Sequence, residues 1–339
     1  MKLKVATSLK TTRAVRLKPG LGQIVMLLVM HLTIVAASGC GSGSSGASTE
    51  PALSSRFVLP VDRLPAALKH KGVVLLSVQE VDDGGISNPG FVNNAVPVDE
   101  LSLKLLSETP GAFTNYSAWA QQFGALGISA NSEVILYDDG ELKFASRIRF
   151  LLYYFGVHRT FIVNGGYNAM LPLIADGRLT QTPPATPAAA TFEVTVQNNP
   201  IHLVNQADVF AVLGDPAVTL VDVRTVAEFD GCVELPGITR PGHIPGARNL
   251  PIENLLTPQT SDPDFSFLDS PSDSRAIFHN FGLRTHDRII AYCHDGAKSS
   301  LAAVSLIDAG YDNVSLYYLS YLDWQDNPSD PVESVSPCG

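Results

Sequence analysis

The sequence predicts an α/β protein made of two tandem copies of one domain, each a parallel sheet with helices on both faces. Short apolar strands alternate with helical patterns along the chain, four segments of the first half recur in order in the second half, and a proline-rich stretch separates the halves. Alternating strands and helices favour parallel sheets, because each helix crosses a sheet face between two strands.

The repeat is clearest around two polar positions that follow apolar strands. In "GISANSEVILYDD" Gly127 lies eleven positions before Asp138, and in "GLRTHDRIIAYCHD" Gly282 lies eleven positions before Cys293. The segment "GVHRTFIVNGGY" matches "GYDNVSLYYLSY", "VVLLSVQ" matches "VTLVDVR", and "GFVNNAVPVDEL" matches "GHIPGARNLPIENL". Four matches in one order indicate a tandem duplication.

The elements that flank these positions follow from the apolar pattern. Buried strands are predicted over 134–137 and 289–292, each after a glycine turn. After the cysteine, "SSLAAVSLIDAG" predicts an amphipathic helix with Ser299 or Ser300 as its N-cap and Gly310 as its stop.

Composition divides the chain into five segments. Residues 177–198, which contain "GRLTQTPPATPAAA", are rich in proline and alanine without apolar periodicity and are predicted to be a linker. We therefore expect a signal peptide over 1–39, a flexible tether over 40–55, an inactive domain over 56–176, the linker, and a catalytic domain over 199–339.

The first 40 residues are typical of an export signal. They carry six basic and no acidic residues before Cys40, and the apolar run "IVMLLVMHLTIVAASGC" is shorter than the roughly 20 apolar residues of a spanning helix. The ending "AASGC" resembles a bacterial lipobox. We expect an exported lipoprotein, periplasmic or at the cell envelope, with a membrane lipid anchor at Cys40; the alternative is an ordinary cleaved signal.

Charge and histidine spacing exclude several classes of function. Removing residues 1–39 leaves 17 Lys and Arg against 33 Asp and Glu, a net charge of −16. Such a surface repels nucleic acid and anionic lipid, so neither is an expected partner. The eight histidines show no paired metal-ligand spacing, so no metal site is predicted.

The stretch "RIIAYCHDGAKSS" predicts an activated nucleophile. Cys293 ends a buried strand, and ligands of open parallel sheets bind beyond the carboxyl ends of strands. Gly296 lets the loop curl, so that backbone N–H groups and the next helix's dipole stabilise an anion, and Lys298 adds positive charge. The thiolate would be that anion. The alternative interpretation is a buried structural cysteine.

These motifs resemble the rhodanese superfamily. The second half is similar to a rhodanese domain in "LVDVRTVAEFDG", "GHIPGARNLP", "YCHDGAKSS", "SYLDW" and "NPSDPVE". The first half resembles the companion domain of the two-domain thiosulfate and 3-mercaptopyruvate sulfurtransferases, through "VILYDDG" and "IVNGGYNAM". The likeness spans about Arg56 to Glu333.

The resemblance implies two rhodanese-like domains and a cofactor-free sulfurtransferase. Its catalytic Cys293 would take a sulfane sulfur from thiosulfate or 3-mercaptopyruvate as a persulfide and pass it to cyanide or a thiol, so both partners are small molecules. Asp138 stands at the cysteine position of the first half, which would make that half inactive. The substrate- and persulfide-binding loop would comprise His294, Asp295, Gly296, Ala297, Lys298 and Ser299.

Two loop residues depart from the family pattern. Basic residues follow the cysteine in the family's thiosulfate enzymes and small residues in its mercaptopyruvate enzymes, whereas His294 and Asp295 follow here. Asp295 would disfavour a dianionic donor unless Lys298 or His294 offsets its charge, so the donor stays open. Arg240 is a candidate contact for a substrate anion, with a surface ion pair as the alternative.

Two other functions are rivals. A cysteine phosphatase or arsenate reductase needs an arginine where Ser299 stands. A membrane-tethered, non-enzymatic binding or redox-sensing protein would have Cys293 in a disulfide, or would keep it only as an inherited residue without a function. With Cys40 lipidated, Cys232 has two possible partners: Cys338, which leaves Cys293 free, or Cys293, which makes a redox switch. Both pairings stay open, and the proline-flanked segments around Cys232 and Cys338 favour the first.

Overall fold

The computed structural model describes residues 55–82, 85–87, 90–196, 200–259 and 262–335. The predicted signal peptide, Cys40 and Cys338 lie outside these residues. Among the described helices, none combines the length and apolar character needed to cross a membrane.

The first domain is built on a parallel sheet with one antiparallel edge strand. Five strands run parallel in the order β1-β6-β5-β2-β4, and β3 pairs antiparallel with β2. The strands are β1 (Val58–Leu59), β2 (Val73–Asp82), β3 (Gly85–Ser87), β4 (Val96–Asp99), β5 (Glu133–Tyr137) and β6 (Thr160–Val163). The helices are α1 (Leu64–Ala67), α2 (Glu100–Glu108), α3 (Tyr116–Ala125), α4 (Lys143–Tyr154) and α5 (Gly166–Ala175).

The second domain has the same parallel order, β7-β13-β12-β8-β9. A separate hairpin of β10 and β11 extends from it. The strands are β7 (Ile201–Val204), β8 (Val218–Asp222), β9 (Arg248–Asn249), β10 (Leu256–Gln259), β11 (Asp262–Leu268), β12 (Arg288–Tyr292) and β13 (Val314–Tyr317). The helices are α6 (Gln206–Phe210), α7 (Val226–Asp230), α8 (Pro271–Asn280), α9 (Ala297–Asp308) and α10 (Ser320–Asp326).

The predicted α/β architecture is confirmed. Both sheets repeat one strand order, as expected of a duplication, and the central strands β5 and β12 each begin one residue before their predicted ranges. All five residues of β5 are buried, as are four of five in β12. Their apolar runs follow from helices that cover both sheet faces.

The helix after the cysteine begins earlier than its sequence suggested. Its N-cap is Gly296, with a φ of 97°, rather than Ser299 or Ser300. The Ser300 hydroxyl instead donates to the Gly296 carbonyl at 2.7 Å. A β-carbon at position 296 would lie 2.2 Å from the Tyr318 carbonyl oxygen, so the tight loop requires glycine.

The two domains pack through α4 and α9. Eleven of the twelve α9 residues are buried, because α9 lies between its own sheet and α4. Aromatic rings from both domains meet at this interface: Phe150 stacks on Tyr318 with ring centroids 5.5 Å apart. The hairpin also reaches the first domain, where the Asn164 side chain accepts from the Leu268 N–H and donates to the Leu268 carbonyl.

The predicted linker forms no helix or strand over its described residues, 177–196, but it is packed against the first domain. Its backbone donates to the carbonyls of Phe91, Gly124 and Phe155, and Phe192 is buried. The sequence predicted the absence of regular structure without predicting this packing. The exact domain boundaries stay a prediction.

Candidate active site

Cys293 follows the carboxyl end of β12, the central strand of the second sheet, and precedes α9. A helix leaves its first backbone N–H groups without intrahelical partners, so the amino end of α9 provides donors beside the sulfur. Cys293 is a free thiol and only 1% exposed. The predicted strand–cysteine–helix arrangement is therefore present.

Three groups surround the Cys293 sulfur. The Gly296 N–H donates to Sγ at 3.1 Å and the Ser299 hydroxyl at 3.4 Å, while the Ser320 hydroxyl oxygen lies 3.9 Å from Sγ and donates to the Tyr317 carbonyl at 2.9 Å. The same Ser320 oxygen accepts from the Cys293 N–H at 3.1 Å. These donors can stabilise negative charge on sulfur.

Ser320 was missed by sequence reasoning. It has a left-handed φ of 60°, unusual for a residue other than glycine, and its side chain is buried. The repeat contained the signal, because "YYLSYLDW" matches "VNGGYNAM" and puts Ser320 opposite Gly166. A hydroxyl thus stands beside the nucleophile where the other copy has glycine.

A pocket of about 290 Å³ has Cys293 in its wall, and both domains line it. Lys104 and Lys143 of the first domain line it, and each pairs with a nearby glutamate, Glu108 or Glu141. The first domain therefore contributes charge as well as surface to the site. The remaining lining includes Glu100, Phe144, Glu228, His294, Asp295 and Lys298.

The charge of Asp295 is offset chiefly by an arginine of the first domain, which sequence reasoning did not consider, and His294 makes a smaller contribution. Arg147, on α4, is fully buried, and its Nη2 lies 2.7 Å from Asp295 Oδ1. Burial acts to raise the pKa of Asp295, but Arg147, together with Lys104 and His294, outweighs it, so the pKa lies below its ordinary value. Residues 147 and 295 are remote in sequence, so no local pattern predicts their contact.

Lys298 lines the pocket but has a partner outside the cysteine loop. Its Nζ lies 3.2 Å from Glu253 Oε1, and its side chain is 27% exposed. Burial lowers the pKa of His294, which favours the neutral imidazole. The cation held closest to the loop carboxylate is therefore Arg147, which sequence reasoning missed.

Arg240 does not line this pocket, and its contact with a substrate anion stays a prediction. Its guanidinium donates to the main-chain carbonyls of Gln325, Asn327 and Asp330. These bonds hold the segment after α10 against the loop that precedes β9. The predicted alternative, a surface ion pair, is not what occupies the side chain.

A buried ion pair supports the loop from β8. Arg224 Nη2 lies 2.6 Å from Asp222 Oδ2 and also donates to the Gly242 carbonyl at 2.7 Å. The guanidinium carbon lies 4.1 Å from the centroid of the Tyr321 ring, and the Tyr321 N–H donates to the Cys293 carbonyl. Asp222 and Arg224 thus hold the segments that flank the cysteine.

The thiols leave one disulfide question open. Cys232 is disulfide-bonded, and its partner is outside the described residues. Because Cys293 is free, the Cys232–Cys293 redox switch is not formed. The pairing of Cys232 with Cys338 stays a prediction.

Ser299 disfavours phosphatase chemistry, since its hydroxyl contacts the sulfur where an arginine would grip an oxyanion. Within the described ranges, no group of three or more His, Cys, Asp or Glu side chains could hold a metal ion.

Known proteins share these sequence and structural features. A family model described as the rhodanese-like domain matches residues 206–327. The 3-mercaptopyruvate sulfurtransferase of Escherichia coli strain K12 is 27% identical over 233 residues, which cover 68% of this chain and 78% of the relative. A Haloferax volcanii protein provisionally named thiosulfate sulfurtransferase is 31% identical over 221 residues, covering 62% and 72%. The crystal structure of SseA from Escherichia coli has the same fold, with a TM-score of 0.61 and 22% identity over 77% of this chain and 97% of SseA.

Proposed function

The chain belongs to the rhodanese superfamily and is a sulfurtransferase, and from this premise we propose that Cys293 carries the transferred sulfur as a persulfide. The observation that carries the proposal is the set of donors around one free, buried thiol. Gly296 and Ser299 direct an N–H and a hydroxyl at its sulfur, and the Ser320 hydroxyl lies 3.9 Å away. A persulfide anion needs this kind of polar enclosure.

In the first half-reaction the Cys293 thiolate attacks the sulfur of the donor. With thiosulfate, a bond forms between Sγ and the outer sulfur, the sulfur–sulfur bond of the donor breaks, and its electron pair leaves with sulfite. With 3-mercaptopyruvate the carbon–sulfur bond breaks instead, and the thiol proton ends on carbon to give pyruvate. Both routes produce the same cysteine persulfide.

In the second half-reaction an acceptor attacks the outer sulfur of the persulfide. Cyanide would leave as thiocyanate, and a thiol as a new persulfide, while the electron pair of the broken sulfur–sulfur bond returns to Sγ. The loop would then hold the thiolate again. Because one anion replaces another at the same position, the donors from Gly296 and Ser299 serve both half-reactions.

The test is intact mass spectrometry after incubation with thiosulfate or with 3-mercaptopyruvate, together with turnover to cyanide. We expect the mass of one added sulfur atom, removed by cyanide. Cys293→Ser should neither gain sulfur nor turn over, because a hydroxyl is not ionised at ordinary pH, while its unfolding transition stays close to that of the wild type. Turnover retained by this variant would refute the covalent mechanism.

We propose further that the protein is exported and lipidated at Cys40. The basic, acid-free start, the short apolar run and "AASGC" support this proposal. Labelling with a lipid precursor should mark the wild type but not Cys40→Ser. Lipidation would engage the Cys40 sulfur and leave Cys338 as the partner of Cys232, so Cys338→Ser should expose one more free thiol. A Cys232 that stays disulfide-bonded in that variant would contradict both assignments.

A further inference from the structure

A fully buried arginine and a partly exposed aspartate from different domains meet at the cysteine loop. Arg147 projects from α4 of the domain that lacks a cysteine, and its side chain is fully buried. Asp295 is the second residue after Cys293. A fully buried arginine is kept only where carboxylates or other acceptors compensate it, so its partners identify its role.

Arg147 bridges two carboxylates. Its Nε lies 3.0 Å from Glu100 Oε1, and its Nη2 lies 2.7 Å from Asp295 Oδ1. Its N–H directions are poorly aligned with both oxygens, so the contacts are ion pairs more than directed hydrogen bonds. The coupling between Arg147 and Asp295 is therefore mainly one of charge.

Asp295 connects this arginine to the nucleophile. The same Oδ1 accepts from the N–H of Ala297, the first residue of α9, at 3.4 Å. The intervening Gly296 donates its N–H to Cys293 Sγ at 3.1 Å. The carboxylate thus fixes the turn whose amide faces the sulfur.

The charge balance around this turn depends on Arg147. Asp295 is also near Lys104 and His294, and Arg147 is also near Tyr318 and Glu100. Burial favours a neutral His294, and Lys104 pairs with Glu108. Without Arg147, the Asp295 carboxylate two residues from the thiolate would lose its main compensating charge and would disfavour that anion.

We propose that Arg147 is a positioning residue for sulfur transfer, which compensates Asp295 from the opposite domain so that the cysteine loop can hold an anion. The assignment rests on the proposed persulfide chemistry at Cys293. It gives the cysteine-free domain a definite part in the reaction. Arg147 acts through Asp295 and is not expected to touch the donor.

The test is a double-mutant cycle of Arg147→Gln and Asp295→Asn, measured by the pH dependence of Cys293 alkylation with iodoacetamide. Arg147→Gln should move the alkylation midpoint to higher pH by about one unit or more, and lower kcat by about ten- to a hundredfold. Asp295→Asn alone should move the midpoint to lower pH. The double variant should return towards the wild-type midpoint, because both charges are removed together.

Arg149→Gln is the matched control. Arg149 lies on the same helix and is equally buried, but its Nε donates to the Thr160 carbonyl and its guanidinium carbon lies 3.8 Å from the Phe57 ring centroid. This variant should lose stability and keep the wild-type alkylation profile. A shift as large as that of Arg147→Gln would show that loss of any buried charge on α4 perturbs the site, and would overturn the proposal.

The outcomes separate the two proposals. Alkylation reports Cys293 whether or not a sulfur donor has been found, so failure of sulfur transfer leaves this test readable. An unchanged midpoint in Arg147→Gln, or no reversal in the double variant, overturns the role of Arg147. If Arg147→Gln does not fold, Asp295→Asn decides: a midpoint that stays or moves to higher pH overturns it.

Discussion

The loops around Asp138 and Cys293 are two versions of one anion-binding structure. Asp138 accepts from the N–H groups of Gly140, Leu142 and Ala145 at 3.0–3.2 Å, whereas the Cys293 sulfur accepts from one N–H and one hydroxyl, those of Gly296 and Ser299. Gly166 and Ser320 both have a left-handed φ, and the residues that follow them make equivalent bonds. The Tyr167 N–H donates to the Asp138 carbonyl, and the Tyr321 N–H donates to the Cys293 carbonyl.

The difference lies in what fills the loop. A carboxylate is a permanent part of the protein and uses its backbone donors for structure. A thiol presents a single sulfur atom, to which a second sulfur is added in the persulfide that we propose for the second domain. The backbone of the duplicated loop therefore accommodates either a carboxyl group or a thiol, while the side chains decide whether sulfur can be carried.

A second difference separates the supporting pairs. In the catalytic domain Asp222 and Arg224 form a buried ion pair, whereas in the first domain the Gln79 side chain donates to the Ser77 hydroxyl at 2.8 Å. Positions that match in the repeat thus carry a charged pair in one copy and a neutral pair in the other.

The strongest test of the difference between the two loops is Asp138→Cys in the Cys293→Ser background. We expect no recovered turnover and no added sulfur in the mass spectrum, because the first loop has Gly166 opposite Ser320 and so lacks that hydroxyl. Cys293→Ser alone is the control. Sulfur taken up at position 138 would show that the backbone alone makes the loop competent.

The next largest effect is expected on the stability that the ion pair of Asp222 and Arg224 provides. Arg224→Gln should lower the free energy of unfolding by about 3–5 kcal/mol, because it leaves Asp222 buried without its partner. Asp222→Ser with Arg224→Gln copies the neutral pair of the first domain and should recover part of that loss. Urea unfolding of both variants measures the difference; equal stability would mean that neither copy depends on its charge state.

Asp138 makes the first loop sensitive to pH. Burial raises the pKa of Asp138 to about 7, above its value of about 4 in an unfolded chain. The fold thus favours the protonated carboxyl, so its stabilising contribution is complete below about pH 4 and is lost as the pH rises to about 7, by about 4 kcal/mol at most. Asp138→Asn should remove this slope in urea unfolding between pH 4 and 7. A slope equal to that of the wild type would contradict this.

The smallest effect is expected at Lys298. Because it pairs with Glu253 at a partly exposed position, Lys298→Ala should lower turnover with an anionic donor by less than about fivefold. Its alkylation profile should match the wild type. A larger loss in steady-state turnover would mean that Lys298 leaves Glu253 and binds the donor.

The fold and the nucleophile could be predicted because both leave local patterns. Matched segments specified the duplicated sheet, and a strand-end cysteine followed by Gly296 specified the loop. The compensation of Asp295 could not be predicted, because Arg147 reaches it only through the packing of α4 on α9. Sequence reasoning chose Lys298 for its proximity along the chain, whereas the structure pairs it with Glu253.

The low exposure of Cys293 limits which molecules can exchange sulfur with it. Cys293 is 1% exposed and lies in the wall of a pocket of about 290 Å³. A flat protein surface that covered the pocket would therefore not contact the sulfur. A delivered sulfur atom is thereby shielded from collision with bulky thiols between its arrival and its departure. The pocket therefore selects acceptors by size and shape, and it favours small molecules or the end of an extended chain.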